Sequence, residues 1–173
     1  MSFTQIGSEN IVLNAADGTA VAGSNGHNWV ADTSVAGHYG ASAMITANDG
    51  FDYNSGQAIS NGARIDFDVN VTTGATYYAW ARGVGDGGSD RSEFAVNGAT
   101  EGRFVWFNTG GAYAWDESDS TVTLASGVQT LSFYERRDGT IVDRLILSTD
   151  PDFDPRVSGG DGAALSSGST DTT

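Results

Sequence analysis

ARIDFDVNV, residues 63–71, decides the fold class. Ile65, Phe67, Val69 and Val71 alternate with Asp66, Asp68 and Asn70. Successive side chains of an extended chain point to opposite sides, so a period of two places the apolar groups on one face and the polar groups on the other. This is the pattern of a strand with one face buried and one wet. Asp66 and Asp68 belong to the wet face.

Similar short runs lie on either side. They are Ile11-Val12-Leu13, Trp29-Val30, Ala43-Met44-Ile45, Tyr77 to Ala81, Phe94 to Val96, Phe104 to Phe107, Val122 to Leu124, Leu131 to Tyr134 and Ile141 to Leu147. Gly, Asn, Asp and Ser clusters separate them, and no window joins a helical period to a cap and a terminating glycine. The expected fold is all-β: a jelly-roll β-sandwich of two antiparallel sheets, with little helix.

The chain has 173 residues, enough for one domain with a substantial core. We expect that domain over residues 1–156. From Ser158 the sequence reads SGGDGAALSSGSTDTT, with almost nothing to bury, so residues 157–173 are expected to form a flexible Gly/Ser/Thr/Asp linker to a neighbouring domain. The first residues, Met1-Ser2-Phe3-Thr4, do not begin a secretion signal, and no apolar run approaches membrane-spanning length. The expectation is a soluble piece, monomeric, of a longer secreted chain.

The formal charge is −14, from 22 acids against 8 basic residues, all of them arginine. A field of this sign repels nucleic acid and anionic membranes, so neither is an expected partner. An acidic, lysine-free surface suits high salt, which points to a saline or marine bacterial source. Cysteine is absent, so no disulfide or thiolate staples the fold, and a hard cation on carboxylates is the remaining staple.

Catalytic arrangements are hard to assemble. Retaining glycosidases need two carboxylates about 5 Å apart. The glutamates Glu9, Glu93, Glu101, Glu117 and Glu135 do not alternate on any one strand, and Asp66 and Asp68 sit on a strand without an aromatic lining. His27 and His38 fall in no nucleophile or zinc arrangement and read as loop or strand-edge residues. GVGDGGSD, residues 83–90, lacks the lysine and helix of a phosphate loop and reads as a long hairpin loop.

Aromatic residues carry more information. FVWFNTGGAYAW, residues 104–115, alternates Phe104 and Trp106 with Val105 and Phe107, so both faces of that strand are apolar and the core should take one pair. Trp106, Tyr113 and Trp115 remain as candidates to stack on a sugar ring, with Asn108 as a planar hydrogen-bonding partner beside them.

In order, TTGATYYAWARGVG (72–85), SEFAVNG (92–98), FVWFNTGGAYAWDES (104–118) and VTLASGVQTLSFYERRDGTIVDRLILSTD (122–150) resemble the strands of family 6 and family 35 carbohydrate-binding modules. The likeness is good over about residues 74–148 and looser before them. It implies a non-catalytic β-sandwich that keeps an appended polysaccharide-degrading enzyme on its substrate. By position it places the sugar site in loops at one end of the sandwich, on Tyr113 or Trp115, Tyr39 and Asp138; loop location adds Arg82, Arg91, Trp106 and Asn108. It also implies a structural calcium on the first strand and on the aspartate of the last. Here the relatives' Glu-Ala-Glu-Asp becomes Asn14-Ala15-Ala16-Asp17, which leaves Asn14, Asp17, Asp143 and backbone carbonyls as ligands, with Glu9 as a substitute in a different register.

The overall charge favours a neutral polysaccharide (galactan, xylan, mannan or glucan) over an anionic one, unless Arg91, Arg136 and Arg137 gather at the site. A small jelly-roll glycoside hydrolase or polysaccharide lyase, and a calcium-stabilised adhesin repeat, are the competing readings.

Overall fold

The computed structural model describes residues 2–5, 10–54, 56–85, 91–107 and 110–157, with 100–106 described by backbone alone. Asn108 and residues 158–173 lie outside the described residues. Two sheets face each other. The first contains β1 (Ser2–Thr4), β3 (Thr19–Val21), β6 (Arg64–Val71), β8 (Arg91–Val96), β9 (Ala99–Trp106) and β12 (Gly127–Glu135), in the order β1-β6-β12-β8-β9 with β3 also on β6. The second contains β2 (Ile11–Asn14), β4 (Val30–Asp32), β5 (Ala43–Ile45), β7 (Ala75–Val84), β10 (Ala114–Glu117), β11 (Val122–Leu124) and β13 (Ile141–Ser148). Its order is β10-β7-β13-β5-β4, with β11 on β7 and β2 on β13. Among the described residues helix is confined to a 3-10 turn, Ala15–Asp17, and α1 (Gln57–Asn61), and neither is long and apolar enough to cross a membrane.

The alternation in β6 does what its period requires. Ile65, Phe67, Val69 and Val71 enter the core between the sheets, where they meet Leu131 and Phe133 of β12 and Tyr77, Ala79 and Ala81 of β7. Phe107 is the ring after β9 that joins this core. Three strands escaped the sequence pattern, β1, β3 and β10, each only three or four residues long. One pairing departs from the antiparallel expectation: β1 runs parallel to β6, with Phe3 opposite Val69. The 83–90 run is a second departure. The strands that flank it, β7 and β8, belong to different sheets and do not pair as a hairpin, and residues 86–90 lie outside the described residues.

At one end of the sandwich three loops are tied together. His27, in the loop before β4, is buried, with Glu135 at Nδ1 and Asp49 at Nε2. Asp138 Oδ2 accepts the backbone N–H groups of Asp49, Gly50 and Phe51 at 2.5, 2.6 and 2.9 Å.

Candidate functional site

The outer face of the second sheet carries the group of residues that the sequence had scattered. In β7 the even positions Trp80 and Arg82 point away from the core, since Ala79 and Ala81 point into it. Trp115 of β10 lies opposite Arg82 on one side, Arg144 of β13 lies opposite it on the other, and Asn14 of β2 lies opposite Arg144. Directly opposed residues share a face, so these four form one row across the sheet. The next row holds Val12, Ile146 and Trp80. Those three pack with Trp115 into an apolar cluster beneath Phe153 and the Arg156 guanidinium, which lies 4.9 Å from the Trp80 ring centre.

A register shift between Val142 and Arg144 interrupts β13. A bulge inserts a residue and re-aims its side chain, and here it lets consecutive residues serve the same site: Asp143 meets Arg82, while Arg144 stacks on Tyr39. The loop after β4 folds over this point. Tyr39 donates its backbone N–H to Asp143 Oδ1 at 2.8 Å, and the carbonyl of Gly37 accepts from Arg82 Nη1 at 3.0 Å. The Tyr39 ring centre lies 3.7 Å from the Arg144 guanidinium carbon and 4.7 Å from that of Arg82. Tyr113, arriving from the Gly-rich turn before β10, lies 4.6 Å from Arg82 on its own ring. Arg82 is therefore the hub between two tyrosines from distant parts of the chain.

Burial lifts the Asp143 carboxyl above its ordinary range, and the Tyr39 N–H, Arg82 and Arg144 act against that rise. Burial also pushes the Tyr113 hydroxyl up to about 12, assisted by Asp143 and Asp32 and opposed by Arg82. That hydroxyl is buried and has no partner among the described residues, although the residue as a whole is only partly buried. Tyr39 and Tyr113 thus offer partly open aromatic surface around a fixed guanidinium, while Trp115 and Trp80 are buried.

Of the residues singled out in the sequence, Tyr39, Arg82, Tyr113, Trp115, Asn14 and Asp143 come together here. The others do not. Asp138 spends its Oδ2 on the loop clamp, a structural task that differs from the sugar contact expected of it. Arg91 lies on the first sheet, opposite Trp106, and its carbonyl accepts the N–H groups of Arg136 and Arg137. Asp17 lines a cavity of about 240 Å³ with Phe3, Thr19, Asp66, Asp68 and Thr130 on the first sheet. Asp66 there accepts from Arg64 and Ser132, and Asp68 from Thr130. Sequence reasoning missed Arg144, whose one available signal was a second charged residue inside the apolar run Ile141 to Leu147.

Asn14, Asp17 and Asp143 do not converge as a calcium set, and Glu9 lies outside the described residues. Asn14 Oδ1 accepts from Arg144 Nε at 2.8 Å, Asp143 is engaged by Arg82 and Tyr39, and Asp17 faces the other sheet's cavity. Among the described residues, no three His, Asp or Glu side chains gather as metal ligands.

No family model matches this chain, and no curated protein matches it. Solved structures do. A β-(1,4)-mannanase of Podospora anserina that carries a family 35 module matches with TM-score 0.64 and 17% identity, over 86% of this chain and 29% of that one. This chain therefore spans less than a third of the mannanase. A family 35 carbohydrate-binding module from Clostridium thermocellum matches with TM-score 0.58 and 16% identity, over 82% of this chain and 99% of the module. The C-terminal family 6 module of a marine laminarinase from Zobellia galactanivorans matches with TM-score 0.57 and 11% identity, over 81% and 99%. What such identities share is architecture: this chain has the β-sandwich fold of the family 35 and family 6 carbohydrate-binding modules.

Proposed function

We propose that this chain is a non-catalytic carbohydrate-binding module that keeps an appended, secreted polysaccharide-degrading enzyme on its substrate. The observation that carries the reading is the convergence of Tyr39 and Tyr113 on Arg82 at the outer face of the second sheet. Partly exposed rings offer flat apolar surface to the C–H face of a sugar, and a guanidinium held between them presents N–H donors to its hydroxyls. The fold it shares with such modules supports the role, and so does the mannanase in which a similar module makes up part of a larger chain. The polar tail after Val157 suits a tether to that enzyme.

The polymer is a neutral one, of the galactan, xylan, mannan or glucan kind, because a chain of charge −14 repels polyanions. Affinity electrophoresis of the 173-residue chain against neutral and acidic polysaccharides tests this. Retardation in a neutral gel, weakened by Tyr39→Ala and Tyr113→Ala and kept in Asp66→Ala, is the expected result. Free migration in every gel would overturn it.

A further inference from the structure

Family resemblance implies a structural calcium on Asn14, Asp17 and Asp143, and these residues do not fit one. We propose that Arg82 and Arg144 take the place of that ion, so that this sandwich is stapled at the same point without a metal. The inference concerns stability and stands independently of the sugar-binding reading.

The oxygens a cation would need already face hydrogen-bond donors. Asn14 Oδ1 receives Arg144 Nε at 2.8 Å, one oxygen of Asp143 receives Arg82 Nη1, and the other receives the Tyr39 N–H at 2.8 Å. Calcium requires six to eight oxygen ligands at about 2.3–2.6 Å. Each of these three oxygens has already committed one of its lone pairs to an N–H, and three oxygens fall well short of that number. Asp17, the third residue of the set, lies beside Asp66 and Asp68 in the cavity of the first sheet. Charge argues the same way: a divalent ion beside Asp143 would join two guanidiniums already there, in a place where Asp143 and Arg144 are both almost wholly buried.

The arginines also make the connections that an ion would make. Arg144 of β13 reaches Asn14 of β2, Arg82 of β7 reaches Asp143 of β13, and Arg82 fixes the loop after β4 through Gly37. A rigid planar fork with several donors is suited to hold three strands and a loop in one geometry, which an ammonium on a flexible stem is not.

Thermal unfolding of the 173-residue chain, stripped with EDTA and then given millimolar calcium or magnesium at equal ionic strength, is the test. The midpoints with the two ions are expected to coincide. Arg82→Ala is expected to lower the midpoint by roughly 6–20 °C with or without calcium, and Arg82→Lys to recover only part of that loss. A calcium-specific rise that disappears in Asp143→Asn, or in Asn14→Ala should the first variant not fold, would overturn the proposal. So would an Arg82→Ala midpoint equal to that of the unaltered chain. A calcium-specific rise that persists in those variants arises away from this site and leaves the arginine staple supported by the Arg82 series.

Discussion

His27 Nδ1 stands 2.7 Å from Glu135 Oε1, at the point where three loops of the sandwich converge. The other ring nitrogen, Nε2, lies 3.2 Å from Asp49 Oδ2. Both contacts are hydrogen bonds only when both nitrogens carry protons, so the geometry selects the imidazolium. Burial alone would lower the pKa of His27, but Glu135 and Asp49 outweigh it and hold the ring above its ordinary value of 6.5. The folded state therefore binds this proton more tightly than the unfolded state does. Its stabilising contribution is complete below about pH 6.5 and is lost as pH rises through the folded value. The unfolding midpoint is expected to fall as pH rises above about 6.5, and His27→Gln to flatten that slope. An identical slope in the variant would assign the pH dependence to other groups.

Asp138 works in the opposite direction on the pH axis. Burial raises its pKa, but the backbone N–H groups of Phe51, Asp49 and Gly50 more than compensate, and the carboxyl is held below its ordinary 3.8. Its contribution is present above about pH 3.8 and is lost as pH falls through the folded value. Asp138→Ala leaves three loop donors without their acceptor, at a cost of about 1–3 kcal/mol because the loop itself is exposed and water can replace part of the loss. Denaturant unfolding at neutral pH measures the cost. Retardation by polysaccharide should be unchanged, since the outer-face cluster does not include this residue.

Gly83 marks a close approach that no other residue can make. A Cβ there would collide with the carbonyl oxygen of Ile141 and would lie 2.7 Å from Phe107 Cζ. The first obstacle is strand backbone and the second a fully buried ring, so neither can give way cheaply. Gly83→Ala is expected to cost about 2–4 kcal/mol, more than an ordinary overpacking, because β7 and β13 must separate. A midpoint within about 1 °C of the unaltered chain would show that the strands are more compliant than this packing implies.

Legibility in the sequence followed the range of the interaction. The face assignments in β6 could be read directly, because a period of two is a property of the strand itself and Asp66 and Asp68 had only to be polar. β1, β3 and β10 each hold a single large apolar side chain, too little for a pattern to register, and the parallel pairing of Phe3 with Val69 depends on where the whole chain has gone. The same holds for the site. Tyr39, Arg82 and Tyr113 could each be named as ring or guanidinium, but their meeting depends on a bulge between Val142 and Arg144 and on a loop crossing the outer face. Asp143 illustrates the limit well. Its identity in the sequence suggests a cation partner, and only the fold determines that the cation is Arg82.

Tyr113 and Trp115 sit two residues apart and should separate binding from stability. Trp115 is buried with Trp80, Val12 and Ile146, so Trp115→Ala opens a void in a packed cluster and is expected to cost about 2–5 kcal/mol. Tyr113 is partly buried and rests on the edge of a smaller cluster formed by Ala43, Val84 and Ile141. Its removal should cost about 1–2 kcal/mol, in proportion to the smaller area it withdraws from water. Polysaccharide retardation, measured well below both midpoints, should therefore be lost in Tyr113→Ala and largely retained in Trp115→Ala. Tyr113→Phe refines the point. It removes a hydroxyl that has no partner among the described residues, so stability should hold or rise slightly, while retardation survives if the ring face is what meets the sugar. Loss of retardation in Tyr113→Phe would move the essential contact from the ring to the hydroxyl.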